Sequence, residues 1–224
     1  MQKLKNAFVI LAGAAAFAPL AVQADDTPLS ADKHSDSGQP WKLASDVGIS
    51  VTAGGGVTGF TDKAMRDVVA SDVGGLWGLR VTYGSHMPFA VDINYAGTAA
   101  NIHALTGSKS GTLIGTTLEA AVRYNVLPNL AWNPYAFAGM GWQRYDVTGT
   151  TMHLWDSGMA SGDNSTVFPF GAGVAYRAQS GLVVDVHGTF RLNVNPGLVM
   201  DNHASTGYVP MHTWEASGGI GYEF

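Results

Sequence analysis

Apolar and polar residues alternate along most of this chain. A two-residue repeat of this kind predicts β-strands with one apolar face and one face of polar residues or glycine. The pattern is plainest at the end, where Trp214, Ala216, Gly218, Ile220 and Tyr222 interleave with Glu215, Ser217, Gly219, Gly221 and Glu223. Seven more stretches upstream repeat it. Val47, Ile49, Val51 and Ala53 define a first strand, and Trp77, Leu79, Val81 and Tyr83 a second. Phe89, Val91, Ile93 and Tyr95 define a third, and Ile114, Thr116, Leu118, Ala120, Val122 and Tyr124 a fourth. The sixth shows Phe168, Phe170, Ala172, Val174 and Tyr176, and the seventh Leu182, Val184, Val186, Phe190 and Leu192. The fifth, Pro134 to Val147, is uneven, because Tyr135 and Phe137 fall out of phase with Met140 and Trp142; a bulge or a mixed face is expected there. Gly54-Gly55-Gly56 lacks the lysine and hydroxyl residue of a phosphate loop and reads as a strand bend or bulge.

The connections alternate in length. Gly84 to Pro88, Val126 to Asn133 and Arg177 to Gly181 are short, whereas 61–72, 98–110, 148–164 and 194–211 are longer and rich in Gly, Ser, Thr, Asn and Asp. Aromatic residues gather at the two ends of the strands. Tyr83, Phe89, Tyr124, Tyr135, Tyr176 and Tyr222 flank the short turns, and Phe60, Tyr95, Trp142, Phe168, Phe170 and Trp214 lie nearer the long ones. Rings of mixed polarity favour the lipid–water boundary, so two such bands suggest a membrane-spanning sheet. Composition agrees: 46% of residues are hydrophobic, only 13% are charged, and 29 are glycine. A soluble domain would carry about twice that charge. After the first residues no apolar run is long enough for a membrane helix, and low charge with strict alternation suits strands that turn one face to lipid.

The opposite face carries Arg80, Asp92, Glu119, Arg123, Arg177, Asp185, His187, Arg191 and Glu215. An eight-stranded barrel has an interior just wide enough for side chains to fill it, so acids and arginines are expected to pair there. Inward glycines (Gly48, Gly78, Gly171, Gly173, Gly219, Gly221) would leave room for the arginines. With N-P-Y-A-F-A-G-M-G-W (133–142), F-G-A-G-V-A-Y-R (170–177), D-V-H-G-T-F-R (185–191) and G-G-I-G-Y-E-F (218–224), the chain resembles the small OmpA-like outer-membrane barrels over residues 45–224. The resemblance implies an all-β fold, an eight-stranded antiparallel up-and-down transmembrane β-barrel. It also implies the outer membrane of a Gram-negative bacterium, both termini periplasmic, the long connections outside, and a monomer surrounded by lipid and lipopolysaccharide. Its aromatic ending, Tyr222 and Phe224, resembles the terminal strand that the barrel assembly machinery reads. OmpW-like small channels share the proline–tyrosine strand opening, but their apolar lumen fits these inward charges poorly.

Lys3 and Lys5, an apolar run over Ala7 to Val22, and small residues before Asp25 predict a signal peptide, residues 1–24, cleaved after Ala24. Residues 25–44 show no period and read as a flexible periplasmic leader. Loss of Lys3 and Lys5 leaves 10 basic against 17 acidic residues, a net charge of −7 with no basic cluster, which argues against nucleic acid as a partner. There is no cysteine, hence no disulfide and no lipid-modified cysteine.

Three further candidates bear on chemistry. His203 and Ser205, with Glu215 downstream, have the two-residue His–Ser spacing of lipid A deacylases of the PagL type, in which base and acid would activate the hydroxyl. The rest of that signature is missing, and D-N-H-A-S-T-G reads as a surface loop. Met152, His153, Met200, His203, Met211 and His212 could offer soft ligands to copper, but they are spread over two loops without fixed spacing. His187 beside Asp185 reads as part of a buried polar network, and Asn164-Ser165-Thr166 as a glycosylation sequon by pattern alone. The sequence therefore predicts a non-enzymatic barrel without cofactor or bound metal, structural or surface-interacting through its four long loops, with an extracellular ligand it does not name. Lipid A deacylation and an OmpW-like channel are the alternatives.

Overall fold

The computed structural model of the chain describes residues 47–62, 73–103, 110–148, 162–194 and 211–224, and the side chains of all of these except 101–103, 110 and 111. Eight strands follow in order: β1 (Ile49–Phe60), β2 (Gly74–Tyr83), β3 (Phe89–His103), β4 (Ser110–Asn125), β5 (Trp132–Thr148), β6 (Gly162–Arg177), β7 (Leu182–Val194) and β8 (Thr213–Glu223). Each pairs antiparallel with the next, and β8 pairs back with β1, so the sheet closes into a barrel. Closure removes the edge strands that an open sheet would leave unpaired. The predicted signal peptide with its cleavage after Ala24, the leader 25–44, Met152, His153, Met200, His203 and Ser205 lie outside the described residues, as do 63–72, 104–109, 149–161 and 195–210 of the long connections.

The alternation read from the sequence becomes the inside and outside of the barrel. Trp77, Leu79, Tyr83, Phe89, Val91, Ile93, Val122 and Ile220 are exposed on the outer surface, while Arg80, Asp92, Glu119, Arg123, Asp185, Arg191 and Glu215 are buried within. This inversion of a soluble protein's rule makes sense only where the outer surroundings are apolar. Rings on the outer face pair near the short turns: Phe89 with Tyr124 at 5.4 Å, Trp132 with the half-buried Tyr176 at 4.8 Å, and Tyr222 with Phe224 at 5.1 Å between centroids. Gly84 and Gly181, both with positive φ, make the tight bends after β2 and before β7.

Of the two alternatives for the fifth strand the mixed face holds, and three other expectations are corrected. β5 has no bulge: its register with β4 is unbroken from Thr148 to Tyr135. It has a mixed face, with Tyr135, Phe137 and Tyr145 buried in the lumen and Met140 and Trp142 exposed. Glycine makes room for the inward rings, since Tyr135 lies opposite Gly173 and Phe137 opposite Gly171 on β6. A Cβ on Gly173 would come within 2.6 Å of the Tyr135 hydroxyl, and one on Gly171 within 2.8 Å of the Phe137 ring. Tyr135 is therefore not in the outer aromatic band, and neither is Phe60, which is 8% exposed and packs on Tyr145 inside.

Gly54-Gly55-Gly56 is not a bulge either. The triplet continues both ladders of β1, facing Gly78, Trp77 and Leu76 on one side and Gly219, Gly218 and Ser217 on the other. These glycines permit a close approach at the closing seam: a Cβ on Gly54 would collide with the Gly218 carbonyl, and one on Gly56 with the Ala216 carbonyl. Finally, the strands run further into the long connections than expected. Residues 98–103 and 110 belong to β3 and β4, and Gly162 to Thr166, sequon included, to β6. Polar strand residues keep the ladder bonded, so loss of apolar character does not end a strand.

The seam gives a testable contrast. Gly54→Ala forces β1 from β8 and is expected to weaken the barrel by about 1–3 kcal/mol. Gly188→Ala, whose Cβ would meet its nearest neighbour at 3.7 Å, is expected to change stability by less than about 0.5 kcal/mol. Reversible urea unfolding in detergent, followed by tryptophan fluorescence, measures both.

Candidate functional site

The candidate site is the lumen, where residues from seven of the eight strands form three linked polar layers. The central one is built on Arg191 of β7, which is 2% exposed. Its Nε and Nη2 donate to the two oxygens of Glu119 on β4 at 2.5 and 3.0 Å. Its Nη1 and Nη2 donate to the two oxygens of Glu215 on β8 at 2.5 and 3.2 Å. The planar guanidinium suits two bidentate carboxylates, and Asn94 Nδ2 adds a bond to Glu119 at 3.1 Å. One cation thus ties β4 to β8 across the lumen.

The second layer gathers around Arg80 on β2. Its Nη1 donates to Tyr135 Oη at 3.0 Å, and Tyr135 in turn donates to Asp185 Oδ2 at 2.7 Å. Arg80 Nη2 stands 2.7 Å from His187 Nε2, and His187 Nδ1 stands 2.7 Å from Asp185 Oδ1. The partners fix the tautomer: Nδ1–H donates to the carboxylate, and the Nε2 lone pair accepts from the guanidinium. The third layer lies toward the short turns. Thr82 donates to Asp92 Oδ1 at 2.7 Å, and Arg123 donates to Asn125 Oδ1 at 2.8 Å. Arg123 also stacks on the Tyr135 ring at 3.4 Å and lies 4.0 Å from Asp92 Oδ2. At the barrel's end Glu223 accepts from Ser85 Oγ at 2.6 Å, contacts His86 Nε2 at 2.7 Å and lies 3.8 Å from Arg177. Those contacts pin β8 to the turn after β2.

Of the lumen residues named from sequence, Glu119, Arg191 and Glu215 come together in one cluster, Arg80, Asp185 and His187 in a second, and Asp92 and Arg123 face each other in a third. Sequence reasoning missed Tyr135, Asn125 and Asn133 as members, and Ser217 as a partner of His187. Asn133 Nδ2 donates to Asn125 Oδ1 at 2.8 Å, joining β4 to β5. The available signal for Tyr135 was its phase with Asn133 and Phe137, which sets all three on one face.

Ser217 calls for a chemical decision. Its Oγ is 2.8 Å from His187 Nε2, which completes a serine–histidine–aspartate line. The distances match a nucleophile, base and orienting acid. The chemistry does not, because the lone pair that would take the serine proton is already accepting from Arg80. The adjoining cavity, lined by Arg80, Asp185, His187, Glu215 and Ser217, has a volume of about 30 Å³. That holds about two water molecules and no acyl substrate. The line orients an imidazole. Glu215, proposed with His203 and Ser205 as a deacylase acid, has both oxygens engaged by Arg191. His212, a candidate soft-metal ligand, accepts the Asn193 N–H on Nδ1, and Met211 beside it is fully buried.

A closed antiparallel barrel of eight strands, apolar outside and ion-paired within, defines a transmembrane barrel of the outer membrane. The chain matches the model of the outer membrane protein beta-barrel domain over residues 9–224 and belongs to that family. It is accordingly an outer-membrane protein. No curated protein matches it. Among solved structures, a major outer membrane protein of Thermus thermophilus is 15% identical, with 79% of this chain and 98% of that one covered at a TM-score of 0.53. The N-terminal β-barrel domain of Pseudomonas aeruginosa OprF is 13% identical, covering 80% and 98%, at a TM-score of 0.48. Neisserial surface protein A is 13% identical, covering 79% and 96%, at 0.49. The Thermus protein shares the fold; identity this low carries no activity across.

The central clamp predicts a mutational pattern. Arg191→Met leaves Glu119 and Glu215 facing each other without their cation and is expected to destabilise the barrel by about 3–5 kcal/mol. Adding Glu119→Gln and Glu215→Gln removes the uncompensated charge and is expected to restore most of that loss, measured by urea unfolding in detergent.

Proposed function

We propose that this protein is a non-enzymatic outer-membrane barrel with a plugged polar lumen, structural or surface-interacting through four long extracellular loops. The observation that carries the reading is the Arg191 clamp, in which one guanidinium holds carboxylates from opposite parts of the wall and fills the lumen between them. A barrel of this size has little interior to spare, and paired charges there resist separation because each would be left in a medium of low dielectric. A rigid wall that transports nothing leaves the long connections, within 61–72, 98–110, 148–164 and 194–211, as the part free to vary and to recognise. In this reading residues 1–24 are removed, 25–44 form a leader, 45–224 form a monomeric barrel with both termini in the periplasm, and the barrel assembly machinery reads Tyr222 and Phe224. Lipid and lipopolysaccharide surround the barrel, and no cofactor is required.

Planar-bilayer recording tests the plug. Purified, homogeneous barrel is expected to give little or no conductance, and large steady conductance would favour the channel alternative instead. The deacylase alternative is tested separately by mass spectrometry of lipid A from cells with and without the protein. Unchanged acyl composition is expected. Loss of one acyl chain that Ser205→Ala abolishes would replace this reading with an enzymatic one.

A further inference from the structure

Arg80 stands where three lumen cavities meet. It lines the one shared by His187 and Ser217, a second toward Arg177 and Glu223, and a third between itself and Asp92. It is also unevenly bonded. Its Nη1 donates to Tyr135 and lies 3.6 Å from Asp185 Oδ1, and its Nη2 reaches His187, but its Nε, though buried, makes no hydrogen bond among the described residues. Asp92 mirrors this: Oδ1 accepts from Thr82, whereas the buried Oδ2 accepts no hydrogen bond among those residues and has Arg123 no closer than 4.0 Å. Arg80 and Asp92, each with one unused polar atom, thus line one cavity of about 10 Å³. Its wall includes Phe137, over whose ring the Arg80 guanidinium already lies at 5.4 Å.

We propose that His187, Arg80 and Asp92 form an acid-operated switch inside the lumen. The contact between Arg80 Nη2 and His187 Nε2 exists only while Nε2 carries a lone pair. A proton taken from water onto Nε2 turns that acceptor into a donor and sets two cations at hydrogen-bond distance. The charged groups around His187 decide which one leaves. Asp185 on β7 holds the ring at 2.7 Å but Arg80 only at 3.6 Å, Glu215 on β8 has its oxygens engaged by Arg191, Tyr135 on β5 is neutral, and Gly173 opposite on β6 brings no charge. His187 therefore stays, its new Nε2–H donating to Ser217 Oγ, while Arg80 slides over the Phe137 ring to the unsatisfied oxygen of Asp92. The cavity beside His187 widens toward the one near Glu223, and Arg80 exchanges Asp185 for Asp92 as its carboxylate. Tyr135 keeps its bond to Asp185, so the rest of the layer holds its place. The switch rests on the ion-paired lumen proposed above and adds a moving part to it.

Heteronuclear NMR of labelled barrel in detergent micelles, titrated from about pH 8 to about pH 5, reads both partners. The ring signals of His187 and the Nε–H signal of Arg80 are expected to move with one shared midpoint. In Asp92→Asn the Arg80 movement is expected to be lost, because the guanidinium has no second carboxylate to go to. In His187→Gln, whose amide oxygen still accepts from Arg80, the Arg80 signal is expected to stay constant. That variant keeps the test decisive even if Asp92→Asn fails to fold. An Arg80 signal that stays still while His187 titrates, a signal that moves unchanged in either variant, or a His187 ring that never titrates would each overturn the switch. A conducting barrel in planar bilayers would sink the plug and leave this result untouched, so the two failures are distinguishable.

Discussion

The ladder between β1 and β8 is the contact that every other feature of this barrel presupposes. In hydrocarbon an unpaired backbone N–H or C=O has no water to turn to, so a sheet that spans a membrane must close on itself. Eleven register pairs, from Ser50 with Glu223 to Phe60 with Thr213, make that closure. The glycines of the seam serve it directly, since side chains at Gly54, Gly56 and Gly221 would collide with carbonyls of the facing strand. The bonds from Ser85 and His86 to Glu223 hold the same seam at its end.

Closure also creates the second problem the chain has to solve. Eight strands enclose a narrow interior whose walls turn every second residue inward. Arg80, Arg123, Arg177 and Arg191 share it with Asp92, Glu119, Asp185, Glu215 and Glu223, and each is placed where its geometry is used. Arg191 spans two carboxylates, Arg123 stacks on Tyr135, and Arg177 donates to the carbonyls of Ser85, Pro128 and Leu130. Arg80 is the exception, bonded through its terminal nitrogens and idle at Nε. The inward rings of β5 serve this arrangement by offering aromatic faces to cations that have little water to solvate them.

Function follows from what these groups are already doing. Ser217, His187 and Asp185 have hydrolase distances, yet the base is committed to a guanidinium and the space beside it admits water alone. The family places the protein in the outer membrane, and in the reading proposed above recognition falls to the long connections that the wall carries.

The number of strands, their order and the outward face of nearly every one were legible in the chain, whereas the long connection expected over 98–110 shortens to 104–109, no longer than 126–131 between β4 and β5. A period of two is a local property, and in lipid it translates directly into inside and outside. Strand ends were less legible, because β3, β4 and β6 continue in polar residues such as Thr98 and Ser165 that the ladder supports as well as apolar ones. The charged lumen residues were visible as a set, but their partners were not. Arg191 meets Glu119 from a strand 72 residues away, and Ser217 meets His187 across 30, through a register that only the closed barrel defines. The phase of β5 was harder to decide for the same reason: Tyr135 and Phe137 are large rings that hydrophobicity alone sends outward, against their phase with Asn133. Glycines on the neighbouring strand, brought opposite them by tertiary pairing, leave the space that turns them in.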